Sequence, residues 1–193
     1  TPIKSSAASD VYKRQIGLCG SFAQTYRGHG TDKAIIAGIL DLHTYDARLR
    51  HALDMAQTEG LEYEFYCTSL PGAHPNTAIL ELTGEKGGSC RVVGASIGGG
   101  NIIVTNINGL EVQFTGQYNT LIVLHQDTPG VIAAVTNTMA YSGANIGNFR
   151  LSRPQKGGEA VMTIEVDGDV SDVMINWLRQ LPHIINVVLV RAI

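Results

Sequence analysis

The sequence predicts an α+β protein, with an α/β-patterned region over residues 16–118 followed by a βαββαβ, ferredoxin-like sandwich over 119–193. Three observations carry this. The apolar run Leu121–Leu124 leads through Asp127-Thr128-Pro129-Gly130 into Val131, Ala134, Val135, Thr138 and Met139, which share one helix face. Ala160, Met162, Ile164 and Val166 alternate with Val161, Thr163, Glu165 and Asp167, the period of a strand with one buried face. The region before residue 118 strings short β-patterned runs between turn signals, of which Asn108-Gly109 is the strongest.

The C-terminal elements follow in order. Asp127 or Thr128 is expected to cap the helix, with Pro129 in its first turn, where a missing N–H costs nothing. Gly143 ends that helix, because a residue free to adopt positive φ is favoured there. Asn145–Arg153 reads as a strand with Gly147, Phe149 and Leu151 on one face. Pro154–Gly158 is a turn. Ser171 or Asp172 caps a second helix whose apolar face is Met174, Trp177, Leu178 and Leu181, and Pro182 ends it. His183–Arg191 is a closing strand rich in Ile and Val.

In the first part, residues 1–15 are polar and aperiodic and read as a non-native leader outside the fold. Ile16–Gly20 is a strand, and Ser21 caps a short helix. Arg27–Asp32 is a Gly-rich loop, with Thr31 or Asp32 capping a helix over Lys33–Leu40. A further helix spans Asp46–Glu59 and stops at Gly60. Strands are expected at Leu61–Cys67, Asn76–Thr83, Cys90–Ile97, Ile102–Ile107 and Leu110–Thr115, with a hairpin turn at Glu85–Gly88 and a domain joint at Tyr118-Asn119.

Composition excludes several classes. The net charge is −3 and no stretch is strongly basic, so a nucleic-acid footprint is missing. No apolar run approaches the roughly 18 residues of a membrane span. Three cysteines, Cys19, Cys67 and Cys90, lie far apart and outside any C-x-x-C spacing, which points to reduced thiols, a cytoplasmic setting and no metal site on this chain.

Three stretches carry candidate chemistry. In SFAQTYRGHGTDKA (21–34), His29 and Asp32 either form an acid/base pair or belong to a capped, solvated loop. In HPNT (74–77), Asn76 and Thr77 either bind a carboxylate or cap a turn. In SIGGGN (96–101), three successive glycines mean close backbone approach or unusual φ; no G-x-G-x-x-G spacing is present. A fourth candidate is the helix start after Asp127, whose N–H groups and positive dipole end suit an α-carboxylate.

The strand–D-x-P-G–helix opening, GANI at 143–146 and the closing HIINVVLV resemble an ACT domain. The ordered set GSFAQTYRGHGTDKAIIAGIL, HPNT and SIGGGNI ahead of it resembles the beta subunit of the iron–sulfur-dependent L-serine dehydratases. The resemblance implies a serine dehydratase beta-type domain over 16–118 and an ACT domain over 119–193. It implies deamination of L-serine to pyruvate and ammonia, in serine degradation and gluconeogenesis, with a [4Fe–4S] cluster carried by an alpha subunit and none on this chain. It marks His29, Thr31, Asp32, Asn76, Thr77, Ser96, Gly98 and Gly99 as partner-dependent catalytic-motif positions. It marks Asp127, Pro129, Gly130, Val131, Asn145 and Ile146 as an effector site for a small amino acid, L-serine above all. The expected partners are that alpha subunit and a second copy through the ACT domain, with no nucleic acid and no membrane; exposed sheet edges favour self-pairing.

The sequence departs from the family in one respect. The family's G-P-S-S-S-H-T segment near the start does not occur in it, so the chain is expected to be a truncated beta subunit, inactive alone. The competing reading is an amino-acid-sensing module of a serine-pathway dehydrogenase. A self-sufficient hydrolase lacks a nucleophile, since Ser21 and Ser96 sit in no elbow motif.

Overall fold

A computed structural model describes residues 11–84 and 88–192. The chain divides into two compact units between Ile97 and Gly98.

The first unit contains β1 (Val11–Cys19), α1 (Gly20–Thr25), α2 (Thr31–Ile39), a 3-10 turn (Ala47–His51) continuing into α3 (Ala52–Thr58), then β2 (Glu62–Thr68), β3 (Thr77–Gly84) and β4 (Ser89–Gly98). The strands lie in the order β2-β1-β3-β4, with β1 parallel to β2 and the other pairs antiparallel. Alternation on β1 sends Ile16 and Leu18 into a core with Ile36, Ala37, Ala52 and Ala56 of the helices. Asp46 starts the 3-10 turn by accepting the Arg48 N–H at 2.8 Å. Gly60, at φ +68°, ends α3 where the sequence expects its stop.

β1 begins at Val11, earlier than the strand start expected at Ile16. Lys13, Arg14 and Gln15 pair with β2 on one side and β3 on the other. Ladder bonds come from the backbone, so a polar run pairs as well as an apolar one, and the hydrophobic pattern is blind to it. Residues 1–10 and most of the expected Glu85–Gly88 turn lie outside the described residues.

The second unit opens with a hairpin, β5 (Asn101–Ile107) and β6 (Leu110–Phe114). Asn108 and Gly109 both have positive φ, 52° and 85°, the geometry of a primed two-residue turn. Then follow β7 (Asn119–Gln126), α4 (Val131–Tyr141), β8 (Asn145–Ser152), β9 (Glu159–Asp167), α5 (Asp172–Gln180) and β10 (Ile184–Val190). All pairs are antiparallel, in the order β10-β7-β9-β8. Both helices cover one face of this sheet, burying Val131, Val135, Met139, Met174 and Leu178 against Leu121, Val123, Met162 and Ile164. Ser171 caps α5 by accepting the Met174 N–H at 3.2 Å.

Four expectations change in this unit. Val161 and Thr163, expected on a solvent face, are each only 2% exposed, because Val112 and Phe114 of β6 pack over that face with Ile122 and Val161. The hairpin thus packs with the four-stranded sheet of this unit. Trp177 is 49% exposed and Ile175 is buried instead, so α5 is rotated relative to the sequence phase. Register slips between Ile146 and Asn148, so Gly147 is an extra residue and Ile146 joins Phe149 against the core in its place. Neither Asp127, Thr128 nor Pro129 starts α4; Gly130 does, at φ 90°, with no side-chain cap.

Candidate functional site

In the first unit, one end of the sheet gathers parts of all three N-terminal motifs. β1 ends at Cys19 and Gly20 turns the chain into α1 at φ +53°; a Cβ there would lie 2.7 Å from the Pro75 carbonyl oxygen and 2.8 Å from its Cα. Only glycine fits, because backbone cannot give way. The Phe22 N–H donates to the same Pro75 oxygen at 3.3 Å. On the other side, the Ser96 N–H donates to the Asn76 carbonyl at 3.1 Å. HPNT therefore sits between the β1–α1 turn and the end of β4.

His74 organises HPNT. Its Nδ1 accepts the Asn76 N–H at 3.1 Å, and its carbonyl accepts the Thr77 hydroxyl at 2.7 Å. With Nδ1 accepting, a neutral His74 ring carries its proton on Nε2. The reading from sequence singled out Asn76 and Thr77 and passed over His74 as a site residue; the His-Pro pair at the turn was the available signal. The Thr77 side chain is buried and committed to the turn, while Asn76 and Ser96 are partly exposed.

The Arg27–Asp32 loop is built differently from the expectation. Gly30, at φ 70°, precedes α2, and Thr31 and Asp32 lie inside the helix rather than capping it. The Asp32 carboxylate accepts the N–H of Lys33 at 2.8 Å. His29 is exposed, and no hydrogen bond or ion pair among the described residues joins it to Asp32. The capped-loop alternative describes this geometry. Gly98, Gly99 and Gly100 all take positive φ, 90°, 62° and 79°. Open space surrounds a Cβ built on Gly98 or Gly100, so their glycine character answers backbone conformation and not close approach.

In the second unit, the expected effector residues separate. Asp127 follows the end of β7 where Gln126 pairs with Glu159, and its carboxylate turns to the β8–β9 turn. There Oδ2 accepts Arg153 Nη1 at 2.7 Å and the Gly157 N–H at 3.0 Å. The Gly157 hydrogen bond, then the Arg153 guanidinium, hold this carboxyl below the usual carboxylate range. Pro129, Gly130 and Val131 form the uncapped start of α4. Asn145 and Ile146 lie beyond the other end of that 11-residue helix, which at 1.5 Å per residue spans about 16 Å. Asn145 pairs with Asp167 in register and donates Nδ2 to its carboxylate at 2.6 Å. A single chain does not bring the two halves together.

The thiols do not fit an iron–sulfur cluster. Cys19 is buried on β1, Cys67 is exposed on β2 with its Sγ 3.6 Å from the Ala23 carbonyl, and Cys90 is half-buried on β4, where burial pushes its thiol up. Among the described residues no three His, Cys, Asp or Glu side chains converge on one point, whereas a cluster takes three or four thiolates.

Comparison with known proteins covers both units. Residues 121–188 match the family described as AHAS small subunit-like ACT domain. The probable L-serine dehydratase, beta chain, of Bacillus subtilis (strain 168) is 42% identical over 172 residues, 89% of this chain and 78% of that one. This chain belongs to the L-serine dehydratase beta-chain family. The L-serine dehydratase beta chain of Peptoniphilus asaccharolyticus is 33% identical over 172 residues, 88% of this chain and 78% of its own. Similarity to a dehydrogenase is weaker: the D-3-phosphoglycerate dehydrogenase of Bacillus subtilis (strain 168) is 26% identical over 160 residues, 82% of this chain and 30% of that one. The α+β class and the beta chain with an ACT-like domain are those expected from the sequence. No helix among the described residues is long and apolar enough to cross a membrane.

Proposed function

We propose that this chain is the beta subunit of a cytoplasmic L-serine dehydratase, which joins an alpha subunit carrying a [4Fe–4S] cluster and converts L-serine to pyruvate and ammonia. The observation that carries the reading is the 42% identity to a dehydratase beta chain over 89% of this chain. The gathering of the β1–α1 turn, HPNT and Ser96 at one sheet end supports it, by giving a surface against which a catalytic subunit can dock. In this reading His29, Thr31, Asp32, Asn76, Thr77 and Ser96 lie on or shape that surface, and Gly98 and Gly99 are kept as motif positions that follow it in the chain. Because the thiols of this chain do not converge, the iron is assigned to the partner.

The same reading gives the ACT part a role in regulation or assembly. An amino acid, L-serine above all, docks its carboxylate on the uncapped N–H groups at Gly130-Val131 beside Asp127 and Pro129. Asn145 and Ile146 come from a second copy paired through the sheet edge, which accounts for their separation within one chain. β8 and β10 are the sheet's edge strands and stand open to such pairing.

The test is co-production with a cysteine-bearing dehydratase alpha chain, anaerobic reconstitution with iron and sulfide, and a pyruvate assay. Turnover is expected only from the pair. Pyruvate formation or a cluster spectrum from this chain alone, or failure of the two chains to co-purify, refutes the reading.

A further inference from the structure

Of the two edges that the topology of the second sheet leaves without a neighbouring strand among the described residues, β10 carries a guard of its own. Val187 stands at the middle of β10, opposite Val123 of β7, with its side chain fully buried. In an antiparallel pair, residues alternate between exchanging both backbone bonds with the partner and turning both groups away. Val187 is of the second kind: its N–H donates to Asn186 Oδ1 at 2.8 Å, and its carbonyl accepts Arg179 Nη2 of α5 at 2.9 Å. Side chains of the same chain thus take both groups that a further strand would engage at the centre of this edge.

The composition of β10 gives the guard its purpose. From Ile184 to Val190 the strand holds five β-branched residues, no charge and no Pro. A short uncharged stretch of high β propensity on an edge is a template for another strand. Ile185 and Val188 are 49% and 44% exposed, so apolar surface adjoins the row of backbone groups. Edges are commonly blunted by Lys, Pro or a bulge. β10 has one shift of register, between Ile184 and Asn186, and past it the pairing runs regularly through Val187 to Val190. The strand that best complements this stretch is the same strand of a second copy. About a two-fold axis, each would offer the other the same outward groups and no charge to repel it.

We propose that Arg179 and Asn186 hold β10 closed against a second copy of this chain, so that the sheet does not lengthen from this edge. Arg179 suits the task because its long apolar stem crosses from α5 to the edge and its guanidinium keeps further donors for water. The proposal leaves β8 as the edge for the self-pairing read above and does not require that pairing.

The experiment compares the full 193-residue chain with Arg179→Met/Asn186→Val by sedimentation velocity over a concentration series, beside amide hydrogen exchange. In the unmodified chain the Val187 amide is expected to exchange slowly. The double variant is expected to associate about tenfold more tightly, beyond whatever state the unmodified chain adopts, because two central backbone bonds become available to a copy. Adding Val188→Lys to it should return the size of the unmodified chain, since a charge on the strand opposes its own copy. Where the double variant fails to fold, Arg179→Met alone, a surface substitution, carries the same comparison. The proposal is overturned by Val187 exchange as fast as that of an unfolded chain, by an unchanged size at every concentration, or by added association that persists with Val188→Lys. Self-pairing through β8, or its absence, is common to every chain compared and does not move the difference.

Discussion

Arg153 Nη1 and the Gly157 N–H converge on one oxygen of Asp127, at 2.7 and 3.0 Å, tying the end of β7 to the β8–β9 turn. The residue that the sequence offers as a helix cap instead braces a turn. Arg153→Gln should move the Asp127 titration upward toward its ordinary value of 3.8 but not fully, since the Gly157 bond, the larger cause of the depression, remains. The sign follows from linkage: a depressed carboxyl stabilises the fold above its unfolded pKa, and that stability is lost as pH falls through the folded one. Carboxyl ¹³C NMR titration reads the shift. Asp127→Asn should loosen amide protection at Gly157 and leave the first turn of α4 unchanged; loss of protection at Ala134 would mean Asp127 caps after all.

Asp46 gives a second pH test. The Arg48 side chain, then the Arg48 N–H, hold its carboxyl at about 2, against an ordinary 3.8. Its contribution should be complete above about pH 4 and disappear between there and pH 2. Comparing acid unfolding of the protein with that of Asp46→Asn isolates it: the two curves should converge toward pH 2. Parallel curves across that window would remove the assignment.

Tyr66 reaches Glu81 from β2 across β1, donating its hydroxyl at 3.3 Å, because Gly17 lies beneath its ring. A Cβ on Gly17 would stand 2.8 Å from both Cζ and the hydroxyl oxygen of Tyr66. Burial, then the Glu81 carboxylate, pushes the Tyr66 phenol up. Gly17→Ala should displace the ring, lower that titration toward an ordinary tyrosine and cost about 1–2 kcal/mol through the lost hydrogen bond and packing. Ultraviolet phenolate titration and urea unfolding check the two parts.

Arg14 is 4% exposed on the helix-covered side of β1, and its Nε has no hydrogen-bond partner among the described residues. Burial lowers its pKa, the mark of a charge held in a poor environment. Arg14→Leu should stabilise the chain by about 1 kcal/mol or more, since an apolar side chain there carries no desolvation cost. A urea midpoint that falls on substitution would show that the guanidinium makes bonds worth more than its burial costs.

The sequence alone determined the order of the elements and much of the chemistry. Strand and helix periods, the Asn108-Gly109 turn and the glycine stops at Gly60 and Gly143 are local, because they depend on backbone preference and on residues a few positions apart. Tertiary structure decided what local pattern cannot hold. Val161 and Thr163 are buried because β6, distant in the chain, covers their face. Trp177 yields its place to Ile175 because the phase of α5 is set by the sheet below it. Strand membership of Lys13–Gln15 came from neighbours on both sides, and backbone pairing leaves no apolar signature. The candidate sites divide the same way. The residue types in HPNT and at the start of α4 were legible, but His74 bracing its turn, Asp127 turning to Arg153, and the distance from Asp127 to Asn145 depend on where separate strands end in space.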